Sequence, residues 1–168
     1  MIFNMVGGGD PDKSGIILNN SQVKPNVPYA FVSIGAASLN ASPFDGVSLE
    51  GLANNSQYAY IRLGPVDLTN IASIDAVISA TRSGSQEATT TTRTVLFVSQ
   101  NANDRSWSET ATAEVVSRSS NQTRTAINLD TSSLTGQYYV YAGTDTNNAL
   151  KYDKRVAVVY GVQLNKGA

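Results

Sequence analysis

The 168-residue sequence contains no cysteine and no histidine. Without cysteine there is no disulfide framework and no thiolate metal site. Without histidine the usual zinc ligand sets are excluded, and so is every histidine-based triad or dyad. Charge is scarce as well: 12 basic against 13 acidic residues leave a net charge of −1, and only 15% of residues are charged. Such a chain has no basic field to gather phosphates, so nucleic acid is not expected as a ligand. No run reaches the roughly 18 apolar residues needed to cross a bilayer, so no membrane partner is expected. Met1 to Val6 lacks the positive region and the apolar core of a signal peptide, which predicts a chain made and left in a cytoplasm. The sequons at Asn19, Asn40, Asn54 and Asn121 then read as accidents of a Ser/Thr/Asn-rich composition.

Catalytic groups are thin. A serine or threonine nucleophile would need a lysine base here, and neither Lys151 nor Lys154 has a motif around it. The carboxylates Glu50, Asp75, Glu114 and Asp130 could in principle pair as in a glycosidase, but each falls at a strand edge or turn where an ordinary acidic residue would also sit. No catalytic residue, cofactor or metal is therefore assigned. Asp10-Pro-Asp12-Lys-Ser14-Gly15 matches the first half of a calcium loop. Position twelve would be Ser21, which offers no bidentate carboxylate, so the stretch is read as a turn.

What is present is alternation of period two. Along Arg124 to Gly143, Thr125, Ile127 and Leu129 share one face of a first strand, while Tyr138, Val140 and Ala142 alternate with Tyr139 and Tyr141 on a second. Between them lies a tight polar turn in which Asp130, Ser132 and Ser133 can accept backbone N–H bonds and Gly136 can take a positive φ. An earlier Asp-Leu-Thr turn precedes a strand with Ile74, Ala76, Ile78 and Ala80 facing one way, and the two stretches read as paired elements of one sandwich. Further strands are predicted over 29–35, 46–50, 57–63, 94–99, 111–117 and 156–164. The run Val95 to Val98 should be covered on both sides. In the third of these strands Ala59, Ile61 and Leu63 form a core face; Tyr58, Tyr60 and Arg62 form a face read as wet. In the last strand Val156, Val158, Tyr160, Val162 and Leu164 are placed on one face, with Ala157, Val159 and Gly161 on the other.

The predicted fold is all-β, an antiparallel β-sandwich of about nine strands and no helix. Residues 1–24 form an N-terminal arm with a Gly-rich tether and residues 25–168 the sandwich domain. The apolar arm, Met1 to Val6 on Gly7-Gly8-Gly9, either folds back on the core or enters a neighbouring subunit.

The stretches VDLTNIASIDAVISA, LDTSSLTGQYYVYAG and RVAVVYGVQL are together similar to the galactose-binding-like jelly-roll domains of structural proteins in tailed bacteriophages and prophages, over roughly residues 45 to 164. The opening MIFNMVGGG resembles the start of small phage tail or fibre proteins. The resemblance implies a non-enzymatic virion structural protein, a tail, fibre or capsid-surface component. It would act in assembly and host-surface glycan adhesion. Its partners would be other virion proteins, in a virion assembled in the bacterial host cytoplasm; the apolar Met1 to Val6 arm on its glycine tether, with sheet edges to cover, adds a partner in itself, as a trimer or other cyclic assembly. The alternative is a free-standing carbohydrate-binding module. On either reading the candidate ligand loop holds Asp104, Arg105 and Trp107, which combine a stacking face with charged hydrogen-bonding groups. The other use of Trp107 is to cap the end of the core. Tyr58, Tyr60, Tyr139 and Tyr141 form a second patch, either an intersubunit face or core-edge packing.

Overall fold

The computed structural model describes residues 13–16, 28–34, 37–39, 47–50, 58–83, 92–103, 112–117, 123–145 and 154–168. Among them run eleven strands: β1 (Lys13–Ile16), β2 (Tyr29–Ile34), β3 (Ala37–Leu39), β4 (Val47–Glu50), β5 (Tyr58–Asp67), β6 (Ile71–Ser83), β7 (Thr92–Ser99), β8 (Thr112–Ser117), β9 (Thr125–Asp130), β10 (Gln137–Asp145) and β11 (Lys154–Lys166). They form two antiparallel sheets, one ordered β3-β4-β11-β6-β9 with β1 also on β11, the other β2-β5-β10-β7-β8. The chain changes sheet at every step except β3 to β4 and β7 to β8, as a jelly roll does. The expected antiparallel sandwich is therefore the fold. The strands beyond the expected nine are β1 and β3, whose sequences KSGI and ASL carry almost no apolar alternation. In β1, Lys13 to Gly15 pair with Asn165 to Gln163, so this part of the calcium-loop-like stretch is extended rather than turned. Asp10, Asp12 and the arm Met1–Val6 lie outside the described residues.

The inward faces meet as the alternation predicts. Ala59, Ile61 and Leu63 of β5, Ile74, Ala76 and Ile78 of β6, Leu96 and Val98 of β7, and Val140 and Ala142 of β10 belong to one buried cluster. Each large aliphatic side chain removed from water contributes about 1.5–3 kcal/mol. Strand β7 lies between β10 and β8 and is buried on both faces, as its unbroken apolar run requires.

Three register shifts among the described residues reset the alternation, one of them at Ala72 of β6, between Ser73 paired with Asn165 and Ile71 paired with Lys166. On β5, Val66 pairs with Tyr138 but Leu63 pairs with Val140, so Gly64 and Pro65 are accommodated as an irregularity and Val66 returns to the core. Gly64 has φ +110°, and a Cβ there would lie 2.9 Å from the Val66 nitrogen and 3.0 Å from the Tyr138 oxygen, so only glycine fits. On β11 the register shifts between Val159 and Gly161. Tyr160 is the extra residue, and Ala157 and Val159 before it and Val162 and Leu164 after it all point inward. The expected single face of Val158, Tyr160, Val162 and Leu164 is corrected accordingly, because one inserted residue inverts a period of two.

The polar turn between β9 and β10 joins strands of different sheets. Asp130 Oδ1 accepts from the Ser132 amide at 2.9 Å and from the Ser132 hydroxyl at 2.7 Å, and Gly136 has φ +91°. The turn between β5 and β6 is built alike, with the Thr69 amide donating to Asp67 Oδ1 at 2.9 Å and Asn70 at φ 85°. The two turns lie at one end of the sandwich and are hydrogen-bonded to each other: Leu68 N–H donates to the Gly136 carbonyl and Gly136 N–H to the Thr69 hydroxyl, both at 2.9 Å. The two stretches are paired elements of one sandwich.

Candidate functional site

The outward face of the five-stranded sheet is aromatic. Tyr58, Tyr60, Val95, Phe97 and Tyr141 are buried on it, with Val32 and Tyr139 packed against them at partial exposure. Phe97 and Tyr141 stack with centroids 4.7 Å apart, and Tyr60 meets both edge-on at 81°. Tyr58 stacks on Tyr60 at 5.0 Å. Gly143 makes the layer possible, since a Cβ there would fall on the Ala59 carbonyl oxygen and 2.8 Å from the Tyr60 Cα and ring. The face read as wet is therefore closed. Alternation tells which residues share a face but not whether that face is covered, and rings of about 150–250 Å² each gain much from cover.

One end of this layer stays open. Tyr139 is half-buried, and the Arg62 guanidinium carbon stands 5.2 Å from its ring centroid. Arg62 Nη1 also donates to the Ala102 carbonyl at 2.5 Å, and the Tyr141 hydroxyl donates to the Asn101 carbonyl. The Asn101 amide donates to Ser99 Oγ at 3.1 Å and the Asn103 amide to Asn101 Oδ1 at 2.9 Å. The segment after β7 is thus clamped across the sheet end by an arginine from β5 and a tyrosine from β10. Asn101 and Asn103 stay exposed, so an apolar ring, a guanidinium plane and two carboxamides converge on one rim. An aromatic face opposes the C–H face of a sugar ring, while amide and guanidinium groups exchange hydrogen bonds with hydroxyls.

The chain runs from Asn103 directly into Asp104, Arg105 and Trp107, but these three lie outside the described residues. The structure therefore places the root of the predicted loop. Reading by strand face set Arg62 beside Tyr58 and Tyr60, and missed its contact with Tyr139 because the partner strand is 77 residues away and register is not visible in a sequence. Of the four carboxylates considered for acid–base work, the side chains of Glu50 and Glu114 lie outside the description. Asp75 accepts from Asn128 at 2.7 Å and from Asn165 at 2.9 Å on the opposite sheet. Asp130 serves its turn, and the Ser132 hydroxyl followed by the Ser132 amide hold its pKa below the ordinary 3.8. Among the described residues no group of three or more acidic side chains is arranged to hold a metal ion.

No family model matches the chain, and no curated protein matches its sequence. Among solved structures it is similar to an arabinose-bound α-L-arabinofuranosidase, with TM-score 0.49 and 12% identity over 94% of this chain and 27% of that one. It is similar to the CBM22-1 xylan-binding domain of a Paenibacillus barcinonensis protein, with TM-score 0.48 and 9% identity over 92% of this chain and 94% of that one. It is similar also to a family 11 carbohydrate-binding module of a Clostridium thermocellum cellulosomal cellulase, with TM-score 0.46 and 11% identity over 91% and 95%. These are likenesses of fold. None of the three is a tailed-phage component, so the expected kinship with virion proteins gains no support from them.

Proposed function

We propose that this protein is a non-catalytic carbohydrate-binding module that holds a neutral glycan at the rim of its five-stranded sheet. The observation that supports this reading is the Arg62 guanidinium fixed over the half-exposed Tyr139 ring and tied to the Ala102 carbonyl, beside the exposed carboxamides of Asn101 and Asn103. The groups are held by main-chain contacts before any ligand arrives, which lowers the ordering cost of binding. Asp104, Arg105 and Trp107, the ligand residues expected from the sequence, follow Asn103 in the chain. A shallow site of this size corresponds to a Kd near 1 mM, about −4 kcal/mol, and firm attachment to a surface requires several copies. This reading takes up the carbohydrate-binding alternative of the sequence rather than the virion one.

The test is an amide NMR titration of the full chain with neutral oligosaccharides such as xylohexaose and cellohexaose. Saturable shifts centred on Arg62, Asn101 to Asn103 and Tyr139, lost in Tyr139→Ala, are expected. Shifts that persist unchanged in a folded Tyr139→Ala variant, or no shifts with any neutral glycan, overturn it.

A further inference from the structure

The outward face of the six-stranded sheet carries a second arrangement that the rim does not use. Arg124, immediately before β9, and Ala126 and Asn128 on it point outward and are exposed, because Ile127 and Leu129 turn inward. The register places Ala126 beside Val77 of β6, and Val77 beside Gly161 of β11. Ala126 is exposed, Val77 half-buried and Gly161 buried, so Ala126 and Val77 make the open floor of a shallow trough across β9 and β6. The bulge at Tyr160 brings Gly161 to the outward face at that level, where it is buried at the back of the trough.

The walls differ in chemistry. On one side the Arg124 guanidinium lies 4.2 Å from the Tyr160 ring centroid, and the Tyr160 hydroxyl is 3.3 Å from Ser79 Oγ, so the cation sits on an anchored aromatic platform. No carboxylate whose side chain is described pairs with Arg124. On the other side Asp75 accepts from Asn128 at 2.7 Å and from Asn165 at 2.9 Å, and Asn165 also donates to Ser73 at 3.2 Å. This wall is a row of fixed amides and a carboxylate with both oxygens engaged. Four residues of strand separate Arg124 from Asn128, about 14 Å at ~3.4 Å per residue, and the three strands span about 10 Å.

We propose that this trough is a second binding site, for an acidic polysaccharide. A uronic acid ring would lie on Ala126 and Val77, its carboxylate taken by the planar donors of Arg124 and its hydroxyls addressed by Asn128 and Asp75. The polarity of the face sets the direction. Asp75 and the exposed Asp130 lie toward the amide wall, so an anionic group is admitted only at the Arg124 end. A stacked guanidinium keeps its outer edge of N–H groups free, and that fork matches a carboxylate in a way an ammonium cannot. The site stands apart from the rim and does not depend on it.

The test is a titration of the full chain with oligogalacturonate of about six units and, separately, with its methyl ester, followed by amide NMR. Expected are shifts confined to Arg124 to Asn128, Ser73 to Ser79 and Tyr160 to Asn165, with the ester at least about tenfold weaker, as loss of a charge-assisted hydrogen bond implies. Arg124→Gln should weaken oligogalacturonate by a similar factor and Arg124→Lys by less, while Arg62→Ala leaves it unchanged. The proposal is overturned if the ester binds equally well, if Arg124→Gln binds as the parent does, if the shifts centre on Asn101 to Asn103, or if oligogalacturonate does not bind. Because Arg62→Ala acts only on the rim, failure of this site and failure of the rim read out separately.

Discussion

The hydroxyl of Thr131 donates to the carbonyl of Ile71 at 2.9 Å, across 60 residues of sequence, and both residues are buried. The Thr131 amide also donates to the Ala72 carbonyl at 3.0 Å, so one residue ties the end of β9 to the start of β6. Thr131→Val keeps the shape and deletes the hydroxyl, leaving a buried acceptor short of a partner at a cost of about 1–3 kcal/mol. Thr131→Ser should restore most of the loss. Urea unfolding of the three proteins checks this, and equal midpoints for the parent and the valine variant would show that the bond contributes nothing net.

A second prediction concerns pH. The Thr69 hydroxyl, then the Thr69 amide, hold Asp67 below its ordinary 3.8, and Ser132 acts in the same way on Asp130. A carboxylate whose folded pKa is depressed contributes stability that is fully present above the unfolded value, and this is lost as pH falls through the folded value. Stability should therefore be level from neutrality down to about pH 4 and decline below it. The double variant Asp67→Asn, Asp130→Asn should show a shallower decline, since neither amide titrates. Thermal midpoints measured from pH 6 to pH 2 decide the matter, and parallel curves would remove the two turns as its origin.

Gly143 tests the closed aromatic face. An alanine there would press on the Ala59 carbonyl and come within 2.8 Å of Tyr60, so either the β5–β10 ladder opens or the Tyr60 ring leaves its place. Overpacking of this kind costs about 1–3 kcal/mol or more, roughly 2–12 °C in Tm for a domain of this size. Near-UV circular dichroism should weaken with it, because Tyr60, Phe97 and Tyr141 form one coupled set of rings. A variant with unchanged Tm and an unchanged aromatic spectrum would mean that the layer has room that its packing does not show.

How far this molecule can be read from its sequence depends on the scale at which each feature is set. The inward residues of β5, β6 and β10 are local facts of period two, and Ala59, Ile74 and Val140 lie where alternation puts them. The Asx turns at Asp67 and Asp130 are likewise visible, because each carboxylate serves an amide two residues on. Bulges escape such reading: nothing in RVAVVYGVQL marks Tyr160 as the inserted residue, since the insertion is defined by pairing with β6. The same limit hid both arginine–tyrosine contacts, Arg62 with Tyr139 and Arg124 with Tyr160, which join strands distant in sequence. Cover over the outward face of β5 was hidden for a different reason, because tyrosine suits a wet and a dry face equally.

The last prediction separates the two tasks of Arg62. Its guanidinium stands over Tyr139 and also donates to the Ala102 carbonyl, so the residue belongs both to the rim and to the anchoring of the loop behind it. Arg62→Lys keeps the charge but loses the planar fork, so it should release Ala102 while preserving some attraction to the ring. Tyr139→Phe keeps the aromatic face and removes only a hydroxyl. If the rim binds sugars by stacking, Tyr139→Phe should bind a neutral glycan within about twofold of the parent, while Tyr139→Ala loses about tenfold or more, consistent with an aromatic contact worth ~1–2 kcal/mol. Arg62→Lys should fall between them and should speed amide exchange at Asn101 to Asn103, an effect that Tyr139→Phe lacks. Calorimetric titration together with hydrogen exchange on the four proteins reads both quantities. Equal affinity in Tyr139→Phe and Tyr139→Ala would remove stacking from the rim, and unchanged exchange in Arg62→Lys would leave the Tyr141 bond to Asn101 as the anchor that holds the loop.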